Sequence, residues 1–199
     1  TYAEKTITLY KFGHKFVASY EVIRRMRINT LAVHLQKIGT RLRRDMVYEA
    51  YQTLVNGDGN SNPAPVFDQP TLDYNDFVDF FMEFKNYEPR IWVGDKATVA
   101  AILKLSEFKD PQAGFNFQRT GQMISPIGIT LRRFDDVAAN SLVGVDNRSA
   151  LEQINETGSQ LVEAEKVIDK QYEDAVISQV SGFAKIYTEA CRIWDYTND

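Results

Sequence analysis

The most regular hydrophobic pattern in the chain lies between residues 29 and 55. Five apolar residues recur there at spacings of four, three, four and four positions: Leu31, Leu35, Ile38, Leu42 and Met46. This repeat places side chains on one face of an α-helix, and Asn29 is a residue type that caps helix N-termini. The pattern predicts a helix of about 25 residues, roughly 38 Å long at 1.5 Å per residue, with one side facing a core.

The chain before this helix is rich in residues that favour strands. From Thr6 to Ser19, Ile, Thr, Leu, Tyr, Phe and Val dominate, with Gly13 in the middle. This composition predicts a long strand, or a two-strand ribbon bent at the glycine, that extends from the rest of the chain as an arm. Ser19 is suited to cap a short helix over residues 21–25.

Residues 56–63 contain turn formers and no apolar residue, which predicts a loop after the long helix. Asp73 or Asn75 is expected to cap a short helix that follows. One face of that helix carries four aromatic residues, Phe77, Phe80, Phe81 and Phe84. Residues 90–93 are typical of a buried strand, and Asp95 is suited to cap another helix.

The second half of the chain mixes strands with a long surface loop. Residues 109–126 are rich in Gly, Pro, Gln and Asn, and Phe115 and Phe117 give this loop two apolar contact points. We expect strands at 127–134 and 141–145, a helix over 149–156, and two or three final strands joined near residues 181–182. Because helices and strands are interspersed without a regular βαβ rhythm, the fold class predicted is α+β.

Composition limits the classes of function. The 199 residues, 44% hydrophobic, are enough for one large domain or two small lobes, and the net charge of −4 excludes a surface built throughout to coat nucleic acid. No apolar run is long enough to cross a membrane. Lys37, Arg41 and Arg44 form a basic stripe on one flank of the long helix, with Arg43 nearby. A solvated flank is favoured, and the alternative is a surface that meets phosphates or the carboxylates of a partner.

The chemistry-bearing residues do not form a catalytic pattern. His14 lies in the predicted arm, His34 on the long helix, and Cys191 among apolar positions of the last strand, where a core role is favoured. One cysteine cannot form an internal disulfide, and with two histidines it is too little for a zinc site. We therefore predict no catalytic residue, no cofactor and no metal site.

Two acidic features of the sequence resemble ligand sites. Gly57-Asp58-Gly59 lacks the glycine spacing of a dinucleotide site and the Lys-Ser/Thr of a P-loop, and the surrounding loop lacks the glycine and glutamate of a calcium loop. A plain turn is favoured. The acids Asp76, Asp79 and Glu83 share one helical side, suited either to a metal or to the polar face of the aromatic helix, and the second interpretation is favoured.

Several stretches in fixed order resemble the major capsid proteins of tailed bacteriophages, which share the Hong Kong 97-type shell fold. Residues 11–23, the long helix and residues 56–59 resemble the return strand of the extended loop, the spine helix and the glycine-rich turn of that family. Residues 90–93 with the capped helix, the Gly-rich loop and residues 127–129 resemble the lobe at the capsomer axis. The closing strands of the family are similar to residues 142–146 and 182–186.

This resemblance implies an α+β, Hong Kong 97-like capsid fold with a long spine helix. The extended β arm would be residues 1–20, the peripheral lobe residues 21–88 completed by strands of 160–199, and the axial lobe residues 89–159. The chain begins abruptly at Thr1, without Met, and we expect it to be a trimmed or proteolytically matured form. The N-terminal arm and the first strand of the extended loop would then precede Thr1.

The function implied is that of a structural subunit of a bacteriophage or prophage capsid. Such subunits assemble with themselves into pentamers and hexamers that enclose the genome, with scaffold, protease and portal as further partners and packaged DNA on the inner face. The location implied is the virion, assembled in the host bacterial cytoplasm, without a membrane. Interfaces concentrate their energy in aromatic residues and Arg, so the hypothetical contact residues are Phe115, Phe117, Arg41, Arg43 and Arg44.

Other classes of function remain open at this stage. An encapsulin-type compartment shell subunit shares the fold and differs in what it encloses. A metal-dependent enzyme or hydrolase would use the acids of the aromatic helix or the Asp58 turn. A peptide-binding or adhesin module would present one exposed groove.

Overall fold

The computed structural model describes residues 5–25, 28–109 and 128–196. The helices are α1 (Tyr20–Arg25), α2 (Ile28–Asn56), α3 (Tyr74–Met82), α4 (Lys96–Leu103) and α5 (Ser106–Lys109). The strands are β1 (Tyr10–Ser19), β2 (Val66–Asp68), β3 (Ile91–Gly94), β4 (Thr130–Arg133), β5 (Ser141–Val145), β6 (Leu151–Asn155), β7 (Leu161–Val167), β8 (Tyr172–Lys185) and β9 (Cys191–Asp195). This mixture of helices and strands confirms the predicted α+β class.

The chain forms two compact units. Unit 1 contains residues 1–50 and 153–184, and unit 2 contains residues 51–152 and 185–199. The predicted long helix is confirmed as α2, which has 29 residues and contributes to both units. It ends where Gly57 adopts a φ of 90° and donates its N–H to the Thr53 carbonyl at 3.0 Å. A left-handed residue after the last helical turn is a common helix stop.

Unit 1 is built on the long strand β8. Strand β1 pairs with it antiparallel, from Tyr10 opposite Ser181 to Ser19 opposite Tyr172. Strand β7 pairs with it antiparallel from Leu161 opposite Ser178, and β6 also joins this sheet. The predicted cap of α1 is confirmed, since Ser19 Oγ accepts the Val22 N–H at 3.4 Å.

Two sequence predictions for this sheet were wrong. β8 runs without interruption through Ser181 and Gly182, where we expected a junction between strands. A Cβ on Gly182 would lie 2.6 Å from the Thr8 carbonyl oxygen, so this glycine permits close approach of another segment and makes no turn. Within residues 149–156, where we expected a helix, residues 151–155 form strand β6, because pairing in the sheet satisfies their backbone groups.

Unit 2 contains a five-stranded mixed sheet in the order β2-β9-β5-β3-β4. Helix α3 contributes the buried Phe77 and Phe80, and the turn after it contributes Phe84, to one core cluster with Trp92 and Trp194 of the sheet. The N-caps predicted for the two helices are confirmed by geometry: the Asp73 side chain accepts the Asp76 N–H at 2.9 Å, and the Asp95 side chain accepts the Thr98 N–H at 2.8 Å. The predicted aromatic face of α3 therefore holds the core of unit 2.

The other face of strand β5 lies in a second cluster. Val143 and Val145 pack there with Tyr51 from the last turns of α2 and with Cys191 of β9. Cys191 is fully buried, which confirms the predicted core position. Burial raises the pKa of this thiol to about 12, so it stays protonated at neutral pH.

Gly39 in the middle of α2 offers a test of helix stability. We expect Gly39→Ala to raise the free energy of unfolding by roughly 0.5–1 kcal/mol, because glycine loses more backbone entropy in a helix than alanine does. A Cβ at this position has no atom within 4 Å. Chemical denaturation measures the change. Gly182→Ala is the matched contrast, and its close backbone neighbour is expected to reverse the sign; a stabilising Gly182→Ala would contradict this account.

Candidate functional site

Helix α2 presents exposed apolar and basic residues in unit 1. Between residues 33 and 50 no residue of this helix is buried. Ile38, Leu42 and Met46 of the predicted stripe are half-buried. They share a side with Asp45, whose carboxylate lies 3.1 Å from His14 Nε2 of β1. The stripe therefore lies on the side of the helix that contacts the strand, but it is not covered as fully as a core.

The opposite side of the same helix carries exposed residues, of which Val33, Lys37 and Arg41 are spaced four apart and Val47 lies about a third of a turn away from Arg41. Val33 and Val47, exposed by 49% and 52%, lie at its two ends. Lys37 and Arg41 lie between them, and both are exposed. Across the described residues neither forms an ion pair. These four residues spread over about a third of the circumference of the helix, and we call them the basic face of α2 below.

The predicted contact residues are only partly assembled by this geometry. Arg41, Arg43 and Arg44 are exposed on α2, with Arg43 on a different flank from Arg41 and Arg44. Phe115 and Phe117 lie outside the described residues. The role of all five as contact residues stays a prediction.

Strand β7 forms an acidic edge in unit 1 that sequence analysis missed. β8 is its only strand partner in the described part of the chain. Leu161, Glu163 and Glu165 are exposed and Val167 is half-buried, and their odd numbering places these four side chains on one face of the strand. We call them the acidic face of β7. An available signal was the acidic excess of residues 152–174, which have seven acidic and two basic side chains.

One ion pair lies beside this acidic face. Lys15 Nζ is 2.5 Å from Asp174 Oδ2, and Asp174 lies opposite Glu165 across the β7–β8 pair. The hydrogen bond to Asp174 raises the pKa of Lys15, and the charge of Glu165 adds to this effect. Asp174 is thus neutralised by Lys15, whereas neither Glu163 nor Glu165 forms an ion pair among the described residues.

A buried lysine joins the end of α2 to the end of β8 within unit 2. Lys185 is only 1% exposed, and its ammonium donates to the Leu54 carbonyl at 2.8 Å. Its backbone N–H donates to Asp58 Oδ2 at 3.0 Å. Burial lowers the pKa of the Lys185 ammonium, and the nearby Asp58 carboxylate offsets only part of this effect. We call Leu54, Asp58 and Lys185 together the Lys185 latch.

Asp58 is held in place by its own loop. Its Oδ1 accepts the N–H and the side-chain amide of Asn60 at 3.2 and 2.9 Å. Burial alone would raise the pKa of this carboxyl, but the hydrogen bonds from Asn60 and Lys185 outweigh it and hold the pKa below the ordinary value. The turn predicted at residues 56–63 therefore has a structural task, which is to hold the Lys185 latch.

The acids considered as metal ligands make other contacts. Asp76 accepts a hydrogen bond from Thr71, and Glu83 lies 3.3 Å from Arg192 Nη1. Residues 5–25, 28–109 and 128–196 contain no group of three or more His, Cys, Asp or Glu placed to hold a metal ion. In the same ranges, no helix combines the length and the apolar character needed to cross a membrane.

Solved structures with the same fold come from phage capsids and related shells. The chain is similar to the Mycobacterium phage Che8 structure (TM-score 0.72, 13% identity, 96% of this chain and 72% of that chain covered). The Gordonia phage Cozz structure is also similar, with a TM-score of 0.68 and 12% identity over 98% of this chain and 72% of that chain. An encapsulin complex from Synechococcus elongatus has a TM-score of 0.65 and 10% identity over 96% of this chain and 74% of that chain. At these identities the likeness establishes the fold and no more.

The sequence itself carries the family assignment. No curated protein sequence matches the chain. The family described as phage capsid protein matches residues 2–186, which is most of its length. The resemblance first noted in the strand, the long helix and the closing strands is thereby confirmed, and the chain belongs to the phage capsid protein family as a structural subunit of the virion shell.

Proposed function

We propose that this chain assembles with copies of itself into pentamers and hexamers, and that these capsomers form an icosahedral capsid around a phage or prophage genome. The observation that carries the proposal is the match of the phage capsid protein family to residues 2–186. The exposed surfaces of unit 1 support it, since large exposed apolar residues are typical of faces that become covered in an assembly. The family is one of structural subunits, so no enzymatic activity is assigned.

Within this proposal the peripheral lobe consists of residues 21–88 and 160–199, and the axial lobe of residues 89–159. Residues 1–20 would be the arm that reaches a neighbour. Scaffold, protease, portal and packaged DNA are proposed partners, and the host cytoplasm is the proposed place of assembly. A compartment shell that encloses protein cargo is the second candidate, and the similarity in fold to an encapsulin is the observation that favours it.

Electron microscopy of the full-length protein expressed alone in bacteria tests the proposal. We expect closed shells or capsomer rings, because members of this family are shell subunits. Nucleic acid recovered from nuclease-treated shells would favour the genome container, and a co-purified enzyme would favour the cargo compartment. A protein that stays monomeric at high concentration, with and without crowding agents, would contradict self-assembly.

A further inference from the structure

The two charged segments of unit 1 have opposite signs. Residues 22–44 contain seven basic and no acidic side chains, whereas residues 152–174 contain seven acidic and two basic ones. In a protein of net charge −4, residues 22–44 thus hold seven of the 23 Lys and Arg residues and no acid. In the described part of the chain no ion pair joins the basic face of α2 to the acidic face of β7. Within one copy, the two faces therefore do not neutralise each other.

The two faces also match in length. From Val33 to Val47, α2 rises by about 21 Å at 1.5 Å per residue. From Leu161 to Val167, β7 extends by about 20 Å at 3.3 Å per residue. Each face begins and ends with an aliphatic residue and carries its charges between the two ends.

The order of side chains matches as well. Lys37 and Arg41 lie about 6 and 12 Å along α2 from Val33. Glu163 and Glu165 lie about 7 and 13 Å along β7 from Leu161. A strand laid along the row of Val33, Lys37 and Arg41 would set Lys37 against Glu163 and Arg41 against Glu165, with an aliphatic contact between Val33 and Leu161 at one end. Charges of opposite sign at matched positions fix the register of such a contact.

We infer that the acidic face of β7 in one copy docks on the basic face of α2 in a second copy. This inference rests on the proposed self-assembly and names two surfaces that carry it. The contact is heterologous, since each copy offers a different face to its two neighbours, and repeated contacts of this kind close into a ring when the rotation allows. A nucleic acid would satisfy the basic face alone and would leave the acidic face without a partner.

Charge reversal tests the contact in the full-length protein. We expect Lys37→Glu with Arg41→Glu, and separately Glu163→Lys with Glu165→Lys, to raise the concentration needed for assembly at least tenfold, because attraction becomes repulsion. The chain that carries all four changes regains opposite charges and is expected to assemble within about threefold of the unchanged protein. Light scattering and electron microscopy measure assembly, and circular dichroism checks that each variant is folded.

A matched control separates this contact from a general effect of charge. Lys96→Glu with Arg132→Glu makes the same change in net charge on exposed residues of unit 2, and we expect normal assembly. The inference is overturned if the fourfold variant assembles no better than the two reversed pairs, or if the reversed pairs assemble normally. Normal assembly of the Lys37 and Arg41 variant with loss of packaged DNA would assign the basic face to nucleic acid instead.

A second measurement does not require shells. A copy with Arg41→Cys is mixed with a copy carrying Glu165→Cys, and the native Cys191 is buried and does not compete. We expect a disulfide-linked dimer to form in the mixture at least tenfold faster than in either variant alone. Shells without this preference would overturn the docking and leave the proposed function intact. Faster disulfide formation in the mixture, with no shell or ring formed by the full-length protein, would uphold the docking and overturn the proposed function.

Discussion

Replacing Phe80 with alanine is expected to lower the free energy of unfolding of unit 2 by about 3–5 kcal/mol. Phe80 is fully buried at the centre of the aromatic cluster. Its ring centroid lies 4.9 Å from that of Trp92 and 5.5 Å from those of Phe67, Phe84 and Trp194. Truncation removes all four ring contacts and leaves a cavity, and the sheet below cannot close it because its strands are held by their own pairing.

Urea denaturation followed by tryptophan fluorescence measures this loss directly, since Trp92 and Trp194 are the two tryptophans of the chain and both lie in the affected cluster. Met82→Ala is the control on the same helix. Met82 is 67% exposed, so we expect a change below about 0.5 kcal/mol. Equal losses for Phe80→Ala and Met82→Ala would show that this aromatic cluster does not hold the fold together.

Replacing Asp58 with alanine is expected to lower the free energy of unfolding by about 3 kcal/mol. The carboxylate accepts three N–H groups, two from Asn60 and one from the backbone of Lys185. Each hydrogen bond to a charged group contributes about 1.5–3 kcal/mol, although a solvated turn recovers part of that on mutation. The change also leaves the buried Lys185 ammonium without its nearby negative charge. We expect proteolysis to increase first near residues 54–62 and 185.

Asp58 also predicts that the free energy of unfolding depends on pH in the acid range. The folded state holds the Asp58 pKa below its ordinary value of 3.8, so the unfolded chain takes up the proton first as the pH falls. The stability from Asp58 is therefore complete above the ordinary pKa and is lost as the pH falls through the folded pKa. Denaturation between pH 7 and 2.5 measures this slope, which we expect to be shallower in Asp58→Ala.

Asp135→Ala is the control for both experiments on Asp58. Asp135 is exposed and pairs with the exposed Arg133, a contact that contributes little in water. We expect its stability and its acid slope to stay close to those of the unchanged chain. An acid slope in Asp58→Ala that equals the slope of the unchanged protein would refute the assigned role of this carboxylate.

Features with a local cause were predicted from the sequence. The helix α2 follows from the apolar repeat between residues 31 and 46, and the caps Ser19, Asp73 and Asp95 follow from side chains that bond a backbone N–H three residues away. Strand β5 follows from a short apolar run bounded by polar residues. Membership of the capsid family also followed from the sequence, because the order of such elements is itself a sequence property.

Features with a distant cause were not predicted. A helix is predicted over residues 149–156, yet residues 151–155 form a strand because the edge of β8 satisfies their backbone groups. Gly182 has the local signature of a turn, but its partner is the Thr8 carbonyl, 174 residues earlier in the chain. Periodicity describes only neighbours along the chain, and neither contact leaves a trace in it.

The sequence by itself determined the α+β class, the long helix, the aromatic helix and the family, because each depends on spacings within a short stretch or on the order of such stretches. The tertiary structure decided which charges face one another. Asp58 and Lys185 are 127 residues apart and meet only when β8 reaches the end of α2. The acidic face of β7 likewise becomes a single face only when pairing with β8 fixes its alternate side chains, since an unpaired strand has no fixed sides.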